Sequence, residues 1–192
     1  MIYATYSGRE VDPWELRRSD VAIEDIAHGL AHQCRFGGQI KRHYSVAEHS
    51  LLVARILREQ CYGPDVQLVG LMHDAAEAYL VDIPSPVKCH LRGYKDAEQR
   101  AVGAIWMALD LPVLTSDLHK VIKAADGTAL LTEARDLFHT AISDKWLESW
   151  QHVEPMPARI SRRWIRPITR TKREFLSEFK RLKLARTYTT SR

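Results

Sequence analysis

The stretch LVGLMHDAAEAYL, residues 68–80, decides how the rest of the chain is read. Its length and nearly continuous apolar character suit a helix that is buried on all sides. Yet it carries His73, Asp74 and Glu77 within five residues. A buried carboxylate is costly unless it is paired or coordinates a metal, so these groups need a common partner. Asp74 and Glu77 stand at i,i+3 and His73 and Glu77 at i,i+4, which lets all three lean toward one side of the helix. The helix therefore reads as one wall of a functional site, the alternative being a buried structural network.

Working outward, Gly63-Pro64 separates this helix from a preceding one expected over Ser45 to Tyr62, and the short joint makes the two packed neighbours. Upstream, Asp20 is a candidate cap for a helix whose apolar stripe runs through Ile23, Ile26, Ala27, Leu30 and Cys34 and which Gly37-Gly38 should end. Downstream, VDIPSPVK at residues 81–88 has two prolines two apart and reads as a stiff extended loop suited to a pocket wall. Helices follow at about Gly93 to Leu109 and Thr115 to Phe138. A connection containing Trp and Pro then leads to a basic helix from about Thr171 to Ala185. The first 18 residues read as an extended arm that can hold a short strand. The expected class is all-α: one compact helical bundle over residues 1–192, with its core at about residues 20–140.

A chain of 192 residues can bury roughly 70% of its unfolded surface, enough for a core without staples. Cys34, Cys61 and Cys89 stand singly, which argues against a disulfide framework or a zinc knuckle and fits a reducing compartment. No apolar run reaches the roughly 20 residues that span a bilayer, and the opening MIYATYSGRE lacks the pattern of a signal peptide. A complete, cytoplasmic protein without a membrane partner is expected. The overall charge of +4 is uneven: from Arg159 onward twelve Lys/Arg face only Glu174 and Glu178, a balance of +10, which leaves −6 on the remainder. Such a segment could attract polyanions or an acidic neighbouring subunit, or simply be a solvated amphipathic helix.

Two other helices each supply matching groups. His49 shares its face with Val46, Val53 and Ile56 and should point inward; Asp126, in VIKAADGTALL, lies one turn from both Ile122 and Leu130. Each alone is as readily a core residue as a ligand. Together, His49, His73, Asp74 and Asp126 make a set of two imidazoles and two carboxylates that suits a divalent ion such as Zn, Co, Mn, Fe or Mg with positions left open. Open positions point to catalysis. His28 and His32 have H-x-x-x-H spacing but lie opposite their own apolar stripe and lack the Glu of H-E-x-x-H. His43 is an alternative first ligand that precedes its helix, and His90, His119 and His139 are candidates for a second metal.

The pattern H…HD…D, with SVAEHSLLVA around His49, GLMHDAAEAYLVDIPSPVK around His73-Asp74 and VIKAADGTALL around Asp126, resembles the HD-domain phosphohydrolases. Within them it is most similar to the small bacterial 5′-deoxynucleotidases and related phage and prophage proteins, some of which are dATP triphosphohydrolases. The likeness spans about Ile23 to Leu137, and IEDIAHGLAHQCRFGGQ extends it upstream in the prophage-like members. The resemblance implies a divalent metal held by His49, His73, Asp74 and Asp126, with Glu77 handling protons. It implies that Arg35 contacts phosphate and that Asp82 lies near the nucleotide sugar. Phe36 stands where the deoxynucleotidases carry a tryptophan beside the sugar. Lys88 and Lys123 can act as point charges on further phosphates, Lys88 being equally readable as an ordinary exposed lysine.

The expected function is metal-dependent hydrolysis of a (deoxy)nucleoside 5′-phosphate, releasing nucleoside with phosphate or triphosphate, by a homo-oligomer as in relatives. One rival is a phosphodiesterase acting on a cyclic or signalling nucleotide. Another, motivated by the basic segment, is a nucleic-acid-binding protein with a structural metal, though a nucleic-acid partner is not the expected one.

Overall fold

The structure, a computed structural model, describes residues 1–147, 153–160 and 167–190. Its fold is all-α apart from a small antiparallel pair near the N-terminus, β1 (Tyr3–Ala4) and β2 (Glu10–Val11), with Tyr3 opposite Val11. Asp25, buried on the first helix, holds this arm by accepting hydrogen bonds from Thr5 Oγ1 (2.9 Å), Ser7 N (2.6 Å) and Ser7 Oγ (2.8 Å).

Helix α1 (Ile23–His32) buries Ile26, Ala27, Leu30 and Ala31. It stops before the glycines expected to end it, because the following backbone pairs laterally instead. Cys34 bridges Ser45, Val46 N donates to Gln33 O (3.1 Å) and Arg35 N to Tyr44 O (2.9 Å). Phe36, Gly37 and Gly38 then turn through positive φ, at 56°, 58° and 77°. Helix α2 (Val46–Glu59) starts on a capping box: Ser45 Oγ accepts from Glu48 N (3.2 Å) while Glu48 Oε2 accepts from Ser45 N (2.8 Å). That cap sets His49 at the first turn of α2, facing the core.

The decisive stretch is broken where one helix was expected. Helix α3 (Pro64–Met72) ends before His73, residues 73–76 form tight turns, and α4 (Glu77–Leu80) resumes. The His73 Nδ1–H donates to Gly70 O at 2.8 Å, taking the carbonyl that the Asp74 N–H would use in a regular α-helix. The N–H groups of Ala75, Glu77 and Ala78 then bond three residues back, at 3.0, 3.0 and 3.2 Å. The expected extended loop also differs, since Ser85–Lys88 forms a short helix, α5. Pro86 is tolerated there because first-turn N–H groups have no partner within the helix.

Helices α6 (Tyr94–Leu109) and α7 (Ser116–Leu137) follow the expected bounds closely, α7 capped by Thr115 Oγ1 accepting from Leu118 N (3.2 Å). Helix α8 (Asp144–Leu147) is short, and α9 (Ile168–Thr190) extends beyond the expected basic helix. The Trp- and Pro-containing connection lies partly outside the described residues. Helix α2 packs on α3 and α7, and α9 covers α1, α2 and α3 by burying Phe175, Phe179 and Leu182.

Part of the basic face of α9 bonds to the chain itself, while Arg170, Arg173, Lys180 and Arg181 are exposed. Lys183 Nζ donates to Leu109 O (2.8 Å) and Asp110 O (2.9 Å), and Arg186 Nη1 donates to Asp110 O (2.7 Å). Cations thus sit at the C-terminal, negative end of α6. Arg186 also pairs with Asp65, and Arg181 donates to Gln67 Oε1 at 3.1 Å. No helix among the described residues is long and apolar enough to cross a membrane.

Gly29 lies where α1 meets α4, and a Cβ there would stand 3.0 Å from the Ala78 carbonyl oxygen and 3.1 Å from its Cα. Gly→Ala inside a helix normally stabilises by about 0.5–1 kcal/mol. We expect Gly29→Ala to reverse that sign and destabilise by about 1–3 kcal/mol in urea denaturation, because backbone must move to admit the methyl.

Candidate metal centre

His49 comes from α2, His73 and Asp74 from the turns after α3, and Asp126 from α7. The packing of these elements brings the four expected ligands together. His49 Nε2 lies 3.1 Å from Asp126 Oδ1, 3.3 Å from His73 Nε2 and 3.6 Å from Asp74 Oδ2. His73 Nε2 lies 3.2 Å from Asp74 Oδ2 and 3.8 Å from Asp126 Oδ1. Ligands about 2.1 Å from one ion stand roughly 3.0–3.4 Å apart in right-angled or tetrahedral arrangements. The spacing of His49, His73 and Asp74, 3.2–3.6 Å, approaches that of a coordination sphere. His49, His73 and Asp74 form a group whose ligating atoms all fall within 4.8 Å, a set that could hold a metal ion.

The hydrogen bonds on the far side of each ring support this fit. His49 Nδ1 faces Glu133 Oε1 at 2.8 Å and His73 Nδ1 faces Gly70 O at 2.8 Å. Each Nδ1 must therefore carry a proton, which leaves both neutral imidazoles with Nε2 lone pairs aimed at each other and at two carboxylates. Four electron-rich atoms in such contact demand positive charge among them. Protons can supply it: burial pulls His73 down, but the adjacent Asp74 carboxylate outweighs this and raises it to about 9. Conversely, burial would raise Asp74 and Asp126, yet the two imidazoles hold both carboxyls below the usual range. A divalent ion meets the same demand.

Glu133 was not singled out in the sequence, and it is fully buried at the centre of the site. Besides fixing His49, its Oε2 accepts from Arg35 Nε at 3.0 Å. One carboxylate thus orients both a candidate metal ligand and the expected phosphate-binding arginine. Its place seven residues after Asp126, two turns along the same face of α7, was the available signal. Arg35 is itself buried and its Nη1 reaches to 3.8 Å from Asp74 Oδ2. Phe36 packs edge-on against Phe138 with centroids 5.0 Å apart, and its ring lies 5.3 Å from the Arg35 guanidinium carbon.

Glu77 is buried, its Oε2 without a hydrogen-bond partner among the described residues. Burial first, then the charges of Asp74 and Asp82, push its carboxyl well above the ordinary range. Asp82 is raised by burial, against the opposing charge of Arg35. Gln33, also not foreseen, ties this segment to the end of α1: its Nε2 donates to Glu77 O (2.8 Å) and its Oε1 accepts from Asp82 N (2.7 Å). Lys88 is neither a free point charge nor an ordinary exposed lysine. It is half-buried, with Nζ donating to Glu98 Oε1 at 2.7 Å and lying 3.7 Å from Glu77 Oε1.

A cavity of about 510 Å³ opens from His73, Asp74, Glu77 and Asp126 between α6 and α7, with exposed Lys123 and His119 on its α7 side. His43, His90 and His139 are exposed and outside this cavity. His28 and His32 stack on each other (4.0 Å between centroids), and His28 also on Tyr6 (3.9 Å).

Two outcomes follow. Metal must displace the His73 proton, so loading should strengthen as pH rises toward 9, by about tenfold per unit for one proton displaced. In the metal-free protein, that proton stabilises the fold fully below the unfolded value of 6.5, and its contribution is lost as pH rises through about 9. Thermal melts with and without metal should therefore diverge most above pH 9. For Glu133→Gln, we expect a loss of about 10–100-fold in metal affinity by titration calorimetry, since the neutral amide supports His49 and Arg35 less well.

No family model matches the chain. It is 37% identical over 154 residues to the uncharacterized protein YfdR of Escherichia coli (strain K12), an alignment covering 80% of this chain and 79% of YfdR. A second relative, an uncharacterized protein of Rhodobacter capsulatus, is 39% identical over 147 residues, covering 72% of this chain and 75% of the relative. Similarity of this extent, running through most of both chains, makes this protein a member of the YfdR family.

Proposed function

We propose that the protein is a metal-dependent phosphohydrolase of the HD type acting on (deoxy)nucleoside 5′-phosphates. The observation that carries this reading is the convergence of His49, His73, Asp74 and Asp126, whose opposed Nε2 lone pairs and carboxylates call for a cation, at the edge of an open cavity. A divalent ion held there supplies polarisation of a phosphoryl oxygen and acidification of water.

The chain's own groups supply the rest. Arg35, gripped through Nε by Glu133, keeps its remaining guanidinium N–H groups for a phosphoryl oxygen on the Asp74 side. Glu77, whose carboxyl is pushed upward by burial and its acidic neighbours, has its unpartnered Oε2 placed to give a proton to the leaving oxygen as the P–O bond breaks. Its carboxylate then takes back the proton lost by the attacking water, which restores the starting state. Lys88 sits close enough to Glu77 to stabilise that transient carboxylate. Lys123, one turn before Asp126, is exposed on the α7 wall of the cavity, where it can meet a phosphate oxygen at the metal end.

The nucleic-acid reading has less support, because Arg181, Lys183 and Arg186 of the basic helix are engaged within the chain. Incubation with each dNMP, NMP, dNTP and NTP in the presence of Mn, Co, Mg or Zn should give nucleoside with orthophosphate or with tripolyphosphate. We expect Glu77→Gln to lower kcat by about 10²–10⁴-fold while retaining metal, and Asp74→Ala to lose both metal and activity. Full activity in either variant would contradict the mechanism, and turnover of cyclic or dinucleotide substrates alone would favour a phosphodiesterase.

A further inference from the structure

The cavity beside the metal centre is an elongated groove with unlike walls. On α6, Gln99, Val102 and Trp106 repeat at i,i+3,i+7 and share one face; on α7, His119, Ile122, Lys123 and Asp126 do the same. From Asp126 to His119 the groove runs about 10 Å along α7, at roughly 1.5 Å per residue. Its middle is apolar, formed by Val102, Trp106, Ile122 and Leu114, the last 41% exposed at the mouth. The Trp106 indole is fixed in place, since its Nε1–H donates to Pro112 O at 3.1 Å.

Resting on the nucleotide reading above, we propose that this groove is the base subsite: the nucleobase lies against Trp106, Val102 and Leu114, while the phosphate occupies the metal end. Two features favour a base over a run of further phosphates. Lys88, close to the metal end, is already bonded to Glu98 and so is not a free cation for further phosphates. Lys123 is the one lysine or arginine among the described lining residues, too little positive charge for a polyphosphate, whereas a fixed indole beside aliphatic side chains suits a flat ring. Gln99, exposed at the rim, offers both an amide donor and acceptor to the edge of a base.

The test compares deoxyadenosine 5′-monophosphate with methyl 2-deoxyriboside 5-phosphate, which keeps the sugar and phosphate but has no base. Binding is measured by calorimetry on Mn-loaded Glu77→Gln protein, so that neither probe is consumed, and repeated with Leu114→Trp added to fill the groove. Leu114 lies in the exposed link between α6 and α7, and the comparison of the two probes on Glu77→Gln protein needs no groove variant. The nucleotide should bind at least about tenfold more tightly than the abasic probe, with that ratio falling below about threefold in the filled variant. A smaller ratio at the outset, or one that Leu114→Trp leaves intact, overturns the proposal. If the ratio holds but the protein without substitutions hydrolyses neither probe, the hydrolase reading fails and the base subsite stands.

Discussion

The Nε2 atoms of His49 and His73, facing each other and the carboxylates of Asp74 and Asp126 at 3.1–3.8 Å, set the constraint to which the surrounding structure conforms. Helices α2, α3 and α7 must pack so that His49, His73, Asp74 and Asp126 converge, and the backbone must bend to permit it. The break after Met72 is part of that accommodation, since the His73 ring takes the Gly70 carbonyl and thereby turns its own Nε2 to the site. Left without positive charge, such a cluster would be among the most expensive features of the fold. Raised imidazoles and lowered carboxyls are the response of the chain's own protons to that demand.

Glu133 couples the cluster to its surroundings. Its two oxygens fix the tautomer of His49 and the position of Arg35 together, so the ligand sphere and the anion-binding group cannot shift independently. Tyr44, buried beside the same carboxylate, has its hydroxyl pushed well above 10 by burial and by the charges of Glu133 and Glu48, and remains neutral. Gln33 performs a similar service at the other edge, joining the end of α1 to the backbone of Glu77 and Asp82. The groups of the candidate site thus rest on helices and buried polar contacts rather than on loops alone, which suits a site that must hold its geometry.

Much of this was legible in the sequence for a simple reason: helical periodicity and isolated buried charges survive in one dimension. The bounds of α6 and α7, the inward face of His49 and the grouping of His49 with His73 and Asp74 as a set that could hold a metal ion could be read from spacing. What escaped depends on long-range pairing. The early end of α1 follows from lateral bonds to residues 44–46, and the break in the decisive helix from a side chain competing for its own backbone. Lys88 looked like a spare cation because Glu98, on a different helix, has no sequence relation to it. The basic tail likewise gave no sign that Lys183 and Arg186 would cap α6. Glu133 was visible only as a polar residue two turns beyond Asp126, a clue that gains meaning once Arg35 and His49 are known to meet it.

The most direct test of the central claim is X-ray absorption at the cobalt edge of protein loaded with Co²⁺. The account predicts one tightly held ion per chain with a first shell of nitrogen and oxygen at about 2.0–2.2 Å, including the outer-shell scattering of two imidazoles. Absence of stoichiometric binding, or a sulfur shell near 2.3 Å from Cys34, Cys61 or Cys89, would contradict it.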